Sequence, residues 1–151
     1  MSIVKGKAVD MSMYPKNRHP KIGDVYMMDF YGRGSAQRGM RPGIVIQNNI
    51  GNKNSPNVVA LPLTSSLKNL HQPTHVVLPA DKTGLKTDSM VICECPTSIP
   101  KESIKTLITQ IPDQYMREIA KAFLIEHPML CYLSDEDVSD VQMESHSLLA
   151  V

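Results

Sequence analysis

Short apolar runs separated by turn residues fill the sequence between residues 23 and 111, and this spacing limits the possible folds more than any other feature. Each run has the length and composition of a strand, and glycine, proline and asparagine lie between them. The candidate strands are GDVYMMDF (Gly23–Phe30), PGIVIQN, NVVALPLT (Asn57–Thr64), THVVLP, SMVICEC (Ser89–Cys95) and SIKTLITQI (Ser103–Ile111). We therefore expect about six short strands, mostly connected by hairpins.

A helical pattern appears only after these strands. Apolar residues recur at intervals of three and four, which places them on one face of a helix. The stripe consists of Met116, Ile119, Ala120, Phe123 and Leu124. Pro112 suits the first turn, and Pro128 ends the helix. The pattern predicts an α+β fold, in which a C-terminal helix covers a strongly bent antiparallel sheet or a partly closed barrel.

The two ends of the chain differ from this central domain. Residues 1–21 are polar with weak periodicity and are expected to form a flexible N-terminal arm. Residues 129–151 are expected to form a loose acidic C-terminal tail. The predicted folded domain spans residues 22–128.

Charge and composition narrow the functional classes. The net charge is +1, so a nucleic-acid site has to come from local clustering of basic residues. No apolar run approaches the roughly 18 residues of a membrane span, and the N-terminus lacks the apolar segment of a signal peptide. The three cysteines form no disulfide framework in a chain of this size. These features predict a cytoplasmic protein without a membrane partner.

Arg41 is an unusual residue at the entrance of an apolar strand, in the segment RPGIVIQN. One interpretation is that its side chain extends from a strand end into water. The other is that the strand holds a permanently charged guanidinium in a site for an anionic ligand. The segment itself leaves both interpretations open.

The loop YGRGSAQRGM (Tyr31–Met40) also has two interpretations. It is either a flexible, glycine-rich connection with solubilising arginines or a basic loop that contacts a ligand. A basic loop would allow a protein of low net charge to hold nucleic acid.

Several motifs in order resemble the MazF/PemK family of toxins, which are sequence-specific mRNA endoribonucleases of bacterial toxin–antitoxin pairs. The matching segments are GDVYMMDF, the Gly/Arg-rich loop, RPGIVIQNNIGNKNSPNVVALPLTSS, PTHVVL, DSMVICE and the final helix. Together they cover roughly residues 22–127. The resemblance implies a small SH3-like antiparallel β-barrel with a C-terminal helix, usually assembled as a homodimer.

The resemblance also implies a reaction and its residues. The family cleaves single-stranded RNA without a metal or other cofactor, through attack of the ribose 2′-OH on the adjacent phosphate. Its catalytic arginine corresponds to Arg41 and its catalytic threonine to Thr64. Because Arg is very hard to deprotonate, we expect Arg41 to act by electrostatic stabilisation rather than as a base. Ser65 and Ser66 either share this work or are turn residues.

Further contacts to RNA are expected around this centre. In the family the basic loop flanks the active site, so Arg33, Gln37 and Arg38 are candidates for RNA contacts. His71 is a candidate acid or base, because its titration range suits proton transfer. The family implies a cognate antitoxin, expected to lay an acidic segment across the same groove.

A metal site is not expected. His71, His75, Cys93 and Cys95 resemble a ligand set, but neither pair shows zinc-like C-x-x-C spacing. The sequence departs from the family after Glu94, where Cys95 and Thr97 replace the usual Gln and Arg, so a cleavage motif is not transferable from relatives.

Two other functions compete with RNA cleavage. The same fold occurs in non-enzymatic toxins that inhibit a protein target such as gyrase. A third hypothesis is an inactive member that only sequesters antitoxin, and the presence of both Arg41 and Thr64 argues against it.

Overall fold

Seven antiparallel strands form one sheet in the part of the chain that the computed structural model describes, residues 18–31 and 38–149. The strands are β1 (Asp24–Tyr31), β2 (Arg38–Val45), β3 (Asn57–Thr64), β4 (His75–Leu78), β5 (Ser89–Ile92), β6 (Thr97–Pro100) and β7 (Ile104–Gln110). The α-helices within these residues are α1 (Asn49–Asn54), α2 (Ala80–Thr83), α3 (Asp113–Glu126) and α4 (Asp135–Leu149). Short 3-10 turns cover Lys101–Ser103 and Met129–Tyr132.

Strand pairing confirms an antiparallel sheet followed by helices. The hydrogen-bonded order is β4-β5-β3-β2-β1-β7, and β6 pairs with the first half of β3. Pairs between the described strands do not complete a hydrogen-bonded ring. The mixed fold is therefore confirmed, while closure into an SH3-like barrel stays a prediction.

Side chains alternate between the two faces of the sheet along each strand, and buried residues form a core on each face. One face packs against α3, and its core includes Val25, Ile44, Leu61, Leu63 and Ile119. The other face encloses a second core that includes Tyr26, Met28, Phe30, Val58 and Ile99. Close packing of a core on each face holds the strands in fixed positions.

Helix α3 was predicted correctly, and its buried face was predicted in part, because Ile119 is buried and Met116 and Phe123 pack against the core. The buried residues are Tyr115, Ile119 and Ala122, at intervals of four and three. Ala120 and Leu124, both assigned to the predicted stripe, are exposed. The apolar pattern continues around the helix, so periodicity alone could not identify the face that meets the sheet.

The predicted acidic tail is helical for most of its length, because α4 occupies Asp135–Leu149, and none of the residues of α4 is buried. A reciprocal cap begins the helix: the Ser134 hydroxyl accepts from the Asp137 amide at 3.1 Å, and the Asp137 carboxylate accepts from the Ser134 amide at 3.0 Å. Three of the five acids in this segment lie in the first turn, where they complement the helix dipole.

The predicted N-terminal arm lies outside the described residues up to residue 17. For residues 18–21 the prediction of flexibility is wrong, because the Arg18 guanidinium donates to the buried Asp24 carboxylate at 2.8 Å. The Lys21 amide donates to the other oxygen of Asp24, also at 2.8 Å. These two hydrogen bonds to Asp24 hold residues 18–21 against the start of β1.

Two connections differ from the sequence prediction. The segment after β2 forms α1, where the Asn48 side chain accepts from the Gly51 amide at 2.9 Å. The strand predicted to reach Cys95 ends at Ile92, turns, and is followed by β6, which was not predicted. Pairing of β6 with β3 joins residues about forty positions apart, a contact that local patterns do not reveal.

Among the described helices, none combines the length and apolar character needed to cross a membrane.

Candidate active site

Arg41 lies within β2 rather than at its entrance. It pairs with Met28 of β1, and its side chain is half-buried. The backbone beside it is tightly packed: a Cβ at Gly43 would come within 2.6 Å of the Met28 sulfur and 2.7 Å of the Phe30 ring. Glycine at this position lets the second core press directly against β2. The strand therefore holds Arg41 on a rigid support.

Thr64 is the last residue of β3, on the strand next to β2. The paired register of the two strands ends at Gly43 and Pro62, so Arg41 and Thr64 each lie two residues beyond it, at the same end of the two strands. The Thr64 hydroxyl accepts from the Ser66 amide at 3.1 Å, which orients its oxygen as the chain leaves the strand. Two residues far apart in sequence are thus neighbours on adjacent strands.

Arg41 and Thr64 line one cavity of about 320 Å³. Ser65, Thr87 and Ser89 also line this cavity, and the Ser89 hydroxyl donates to the Thr87 carbonyl at 3.0 Å. A cation among hydroxyl-bearing residues suits an oxyanion such as a phosphodiester. Of the two interpretations of Arg41, this environment favours the anion site.

Two further cavities share lining residues with this one. Pro42, Thr87 and Ser89 also line a cavity of about 510 Å³, and Thr64 also lines one of about 340 Å³. The shared residues make these three cavities neighbours. Neighbouring cavities around one cation suit a ligand that is larger than a single small molecule.

The other predicted site residues have different outcomes. Ser65 lines the Arg41 cavity, and Ser66 lines the neighbouring cavity of about 340 Å³. His71 is exposed and lines neither of these two cavities. Arg33 and Gln37 lie outside the described residues, as does the side chain of Arg38.

Sequence reasoning missed two groups of residues. Thr87, in the α2–β5 connection, and Ser89, in β5, line the Arg41 cavity. In the sequence, only their hydroxyl groups could have indicated a place in this site. His75 and Glu94 line the neighbouring cavity as a hydrogen-bonded pair, with His75 Nε2 2.7 Å from Glu94 Oε1. His75 had been weighed only as a metal ligand.

The cysteines at this end of the sheet are poor nucleophiles. Burial, with the carboxylates of Glu94 and Glu126, raises the pKa of the Cys93 thiol to about 12. The same causes raise the pKa of Cys95, which lines the cavity beside Glu94. Both thiols stay protonated at neutral pH. Within residues 18–31 and 38–149, no group of three or more His, Cys, Asp or Glu side chains is placed to hold a metal ion.

Comparison with known proteins connects this geometry to a family. The family model described as "PemK-like, MazF-like toxin of type II toxin-antitoxin system" matches residues 21–126. The endoribonuclease EndoA of Bacillus subtilis (strain 168) is 37% identical over 106 residues, which are 70% of this chain and 91% of that protein.

Solved structures show the same fold. A crystal structure of MazF from Deinococcus radiodurans gives a TM-score of 0.66 at 23% identity and covers 75% of this chain and 100% of its own. An endoribonuclease in complex with its cognate antitoxin, from a mycobacterial species, gives 0.59 at 22% identity, covering 73% and 96%.

Proposed function

The chain belongs to the PemK-like and MazF-like toxins of type II toxin–antitoxin systems, and from this premise we propose that it is a toxin that cleaves RNA at the Arg41–Thr64 cavity. The observation that carries the proposal is the convergence of Arg41 and Thr64 in one cavity of about 320 Å³. The similarity to an endoribonuclease favours this function over inhibition of a protein such as gyrase.

The proposed reaction is metal-independent cleavage of single-stranded RNA. The ribose 2′-OH attacks the adjacent phosphorus, the bond to the 5′-oxygen breaks, and a cyclic phosphate and a 5′-hydroxyl result. Negative charge grows on the non-bridging oxygens of the phosphorane. The planar Arg41 guanidinium supplies donors in a fixed fork to those oxygens. A donor that is held in place before the reaction stabilises this charge without reorganising.

Thr64 acts on the same oxygens or orients the attacking hydroxyl. Its own oxygen already accepts from the Ser66 amide, which leaves the hydroxyl proton for the substrate. Ser65 is placed to assist in the same cavity. Arg33, Gln37, Arg38, Ser66 and His71 remain proposed RNA contacts along the groove.

The proposed assembly is a homodimer inhibited by an antitoxin. We define the C-terminal patch as the exposed apolar residues Leu124, Ile125, Met129, Leu130, Tyr132 and Leu133. A run of exposed apolar side chains of this kind suits a second copy of the chain. The structure of a related endoribonuclease with its cognate antitoxin supports an antitoxin as partner. RNA as substrate and three free cysteines fit a cytoplasmic site of action.

We also propose that the sheet closes into a small SH3-like barrel. β6 pairs with β3 and β7 pairs with β1, and only Lys101–Ser103 lies between β6 and β7. The continuous segment from β6 to β7 thus bridges the two ends of the β1–β2–β3 layer.

The decisive experiment is single-turnover cleavage of a long mixed-sequence single-stranded RNA in EDTA. Arg41→Ala should lower the rate by about 100- to 1000-fold, because it removes one transition-state donor. Arg41→Lys should recover little, since a point charge does not replace the planar fork. Thr64→Ala should also slow cleavage, and the double variant should be less than additive if both groups serve one transition state.

Arg117→Ala is the matched control, because Arg117 is an exposed arginine on α3, away from the cavity. It should cleave like the wild type. Circular dichroism should show that all variants are folded. Near-wild-type rates in folded Arg41→Ala would refute the catalytic assignment.

A further inference from the structure

The loop between β3 and β4 begins and ends at one cavity. Thr64, the last residue of β3, and His75, the first residue of β4, both line the cavity of about 340 Å³. Ser66 and Asn69 of the loop between them line it as well. The loop covers residues 65–74 and contains neither helix nor strand. Its position relative to the sheet therefore depends on individual hydrogen bonds rather than on strand pairing.

His75 joins this loop to the opposite side of the cavity. Its Nδ1 lies 3.2 Å from the Asn69 carbonyl oxygen, and its Nε2 lies 2.7 Å from Oε1 of Glu94, in the turn between β5 and β6. With a proton on each nitrogen, the ring donates to both oxygens at once. The His75 side chain is 8% exposed. Because both ring nitrogens face acceptors of the protein, His75 is placed to hold the loop rather than to bind a ligand.

The Asn69 carbonyl belongs to a turn in a strained conformation. The φ of Asn69 is 57°, in the left-handed region, which asparagine tolerates better than most residues with a side chain. The Asn69 carbonyl also accepts from the Gln72 amide, and the Gln72 carbonyl accepts from the His75 amide, both at 3.1 Å. These bonds join the second half of the loop to β4 as one unit. The imidazole then fixes this unit at Glu94.

The first half of the loop contacts the Thr64 hydroxyl. The Ser66 amide donates to Thr64 Oγ1 at 3.1 Å, and only two residues separate Ser66 from Asn69. Residues 65–73 are exposed, so packing in the core does not hold this part of the chain in place. A displacement of the turn at Asn69 therefore moves the amide that orients Thr64.

We propose that His75 is a positioning residue that acts on RNA cleavage through Thr64. It ties the Asn69 turn to Glu94. The loop fixed in this way keeps the Ser66 amide on the Thr64 oxygen, which leaves the hydroxyl proton for the reacting phosphate. Misplacement of a reacting group by about 1 Å costs up to about 100-fold in rate, so a small shift of the loop has a large effect. This inference rests on the proposed RNA cleavage.

The test is a double-mutant cycle in single-turnover cleavage of one long single-stranded RNA in EDTA. His75→Ala should lower the rate at saturating protein by about 10- to 100-fold. In a Thr64→Ala background the same change should alter the rate by less than about twofold, because the hydroxyl that His75 positions is absent. His146→Ala, at an exposed histidine of α4, should leave the rate unchanged in both backgrounds.

Two further readouts separate positioning from a structural role alone. The protein concentration that gives half the maximal rate should change by less than about threefold, because the ring nitrogens face the protein and not the RNA. His75→Gln, whose amide donates to one of the two acceptors, should recover part of the rate. His75→Leu fills a similar space without a donor and should recover none. It replaces His75→Ala in the cycle if circular dichroism shows that the alanine variant is unfolded.

The outcomes distinguish this inference from the proposed function. A wild-type protein that leaves RNA intact overturns the proposed function and this inference with it. Cleavage by the wild type, with an equal loss from the His75 change in the presence and absence of the Thr64 hydroxyl, overturns the inference alone. A wild-type rate in folded His75→Ala does the same, as does a rate for His75→Gln no higher than that for His75→Leu.

Discussion

The carboxylate of Asp24 is fully buried at the start of β1, and its neighbours are arranged to support its charge. One oxygen accepts from Arg18, and the other accepts from the Lys21 amide and, at 3.2 Å, from the Tyr26 hydroxyl. Gln110 of β7 donates at 3.4 Å. Burial, and then the Asp24 charge, raises the pKa of Tyr26 well above its usual value. The phenol therefore stays a donor over the whole physiological pH range.

Loss of Arg18 should destabilise the fold, because the buried carboxylate would lose its cationic partner. We expect Arg18→Ala to lower the free energy of unfolding by about 3 kcal/mol, as in other buried ion pairs broken on one side. Guanidinium chloride unfolding followed by circular dichroism measures the change. Arg117→Ala, on an exposed helix face, should change stability by less than about 0.5 kcal/mol. Equal stabilities of the two variants would contradict a structural role for Arg18.

At the scale of elements, strands were easier to predict than the contacts between them. The short apolar runs predicted β1 to β5 and β7, although β2 begins four residues before and β5 ends three residues before the predicted limits. β6 was missed, since it consists of only four residues and its pairing with β3 is non-local. α4 was missed because its acidic first turn resembles a disordered tail in composition, although the same residues cap a helix.

The face that α3 turns toward the sheet differs in part from the predicted face. Ala122 is buried against the sheet, while Ala120 is exposed two residues away. Ala122→Gln should lower the free energy of unfolding by about 2–3 kcal/mol, because a larger polar side chain enters a packed core. Ala120→Gln should cost less than about 0.5 kcal/mol, near the difference in helix propensity. Chemical denaturation of both variants measures this, and a larger loss at Ala120 would restore the predicted stripe.

At the scale of the whole molecule, the sequence predicts only those parts of the candidate site that do not depend on contacts between distant strands. Arg41 and Thr64 were proposed as site residues because each lies in a motif that resembles a family. The Glu94–His75 pair was not, because its residues are nineteen positions apart and meet only where β4 and β5 pair. The sequence suggested His75 only as a possible metal ligand, whereas the fold places the Glu94 carboxylate beside it. Contacts of this kind follow from topology and are absent from local patterns.

Association of two copies should occur through the C-terminal patch. Tyr132 is 83% exposed and Met129 is 66% exposed, and they follow two exposed apolar residues at the end of α3. Burial of such surface is worth about 25 cal/mol per Å², whereas a charge within it would be desolvated without a partner. Sedimentation at micromolar concentration should show a dimer, and Ile125→Glu should shift it to a monomer. Met143→Glu, on an exposed site of α4 outside the patch, should stay dimeric. A wild-type monomer, or a dimer that tolerates Ile125→Glu, would exclude this interface.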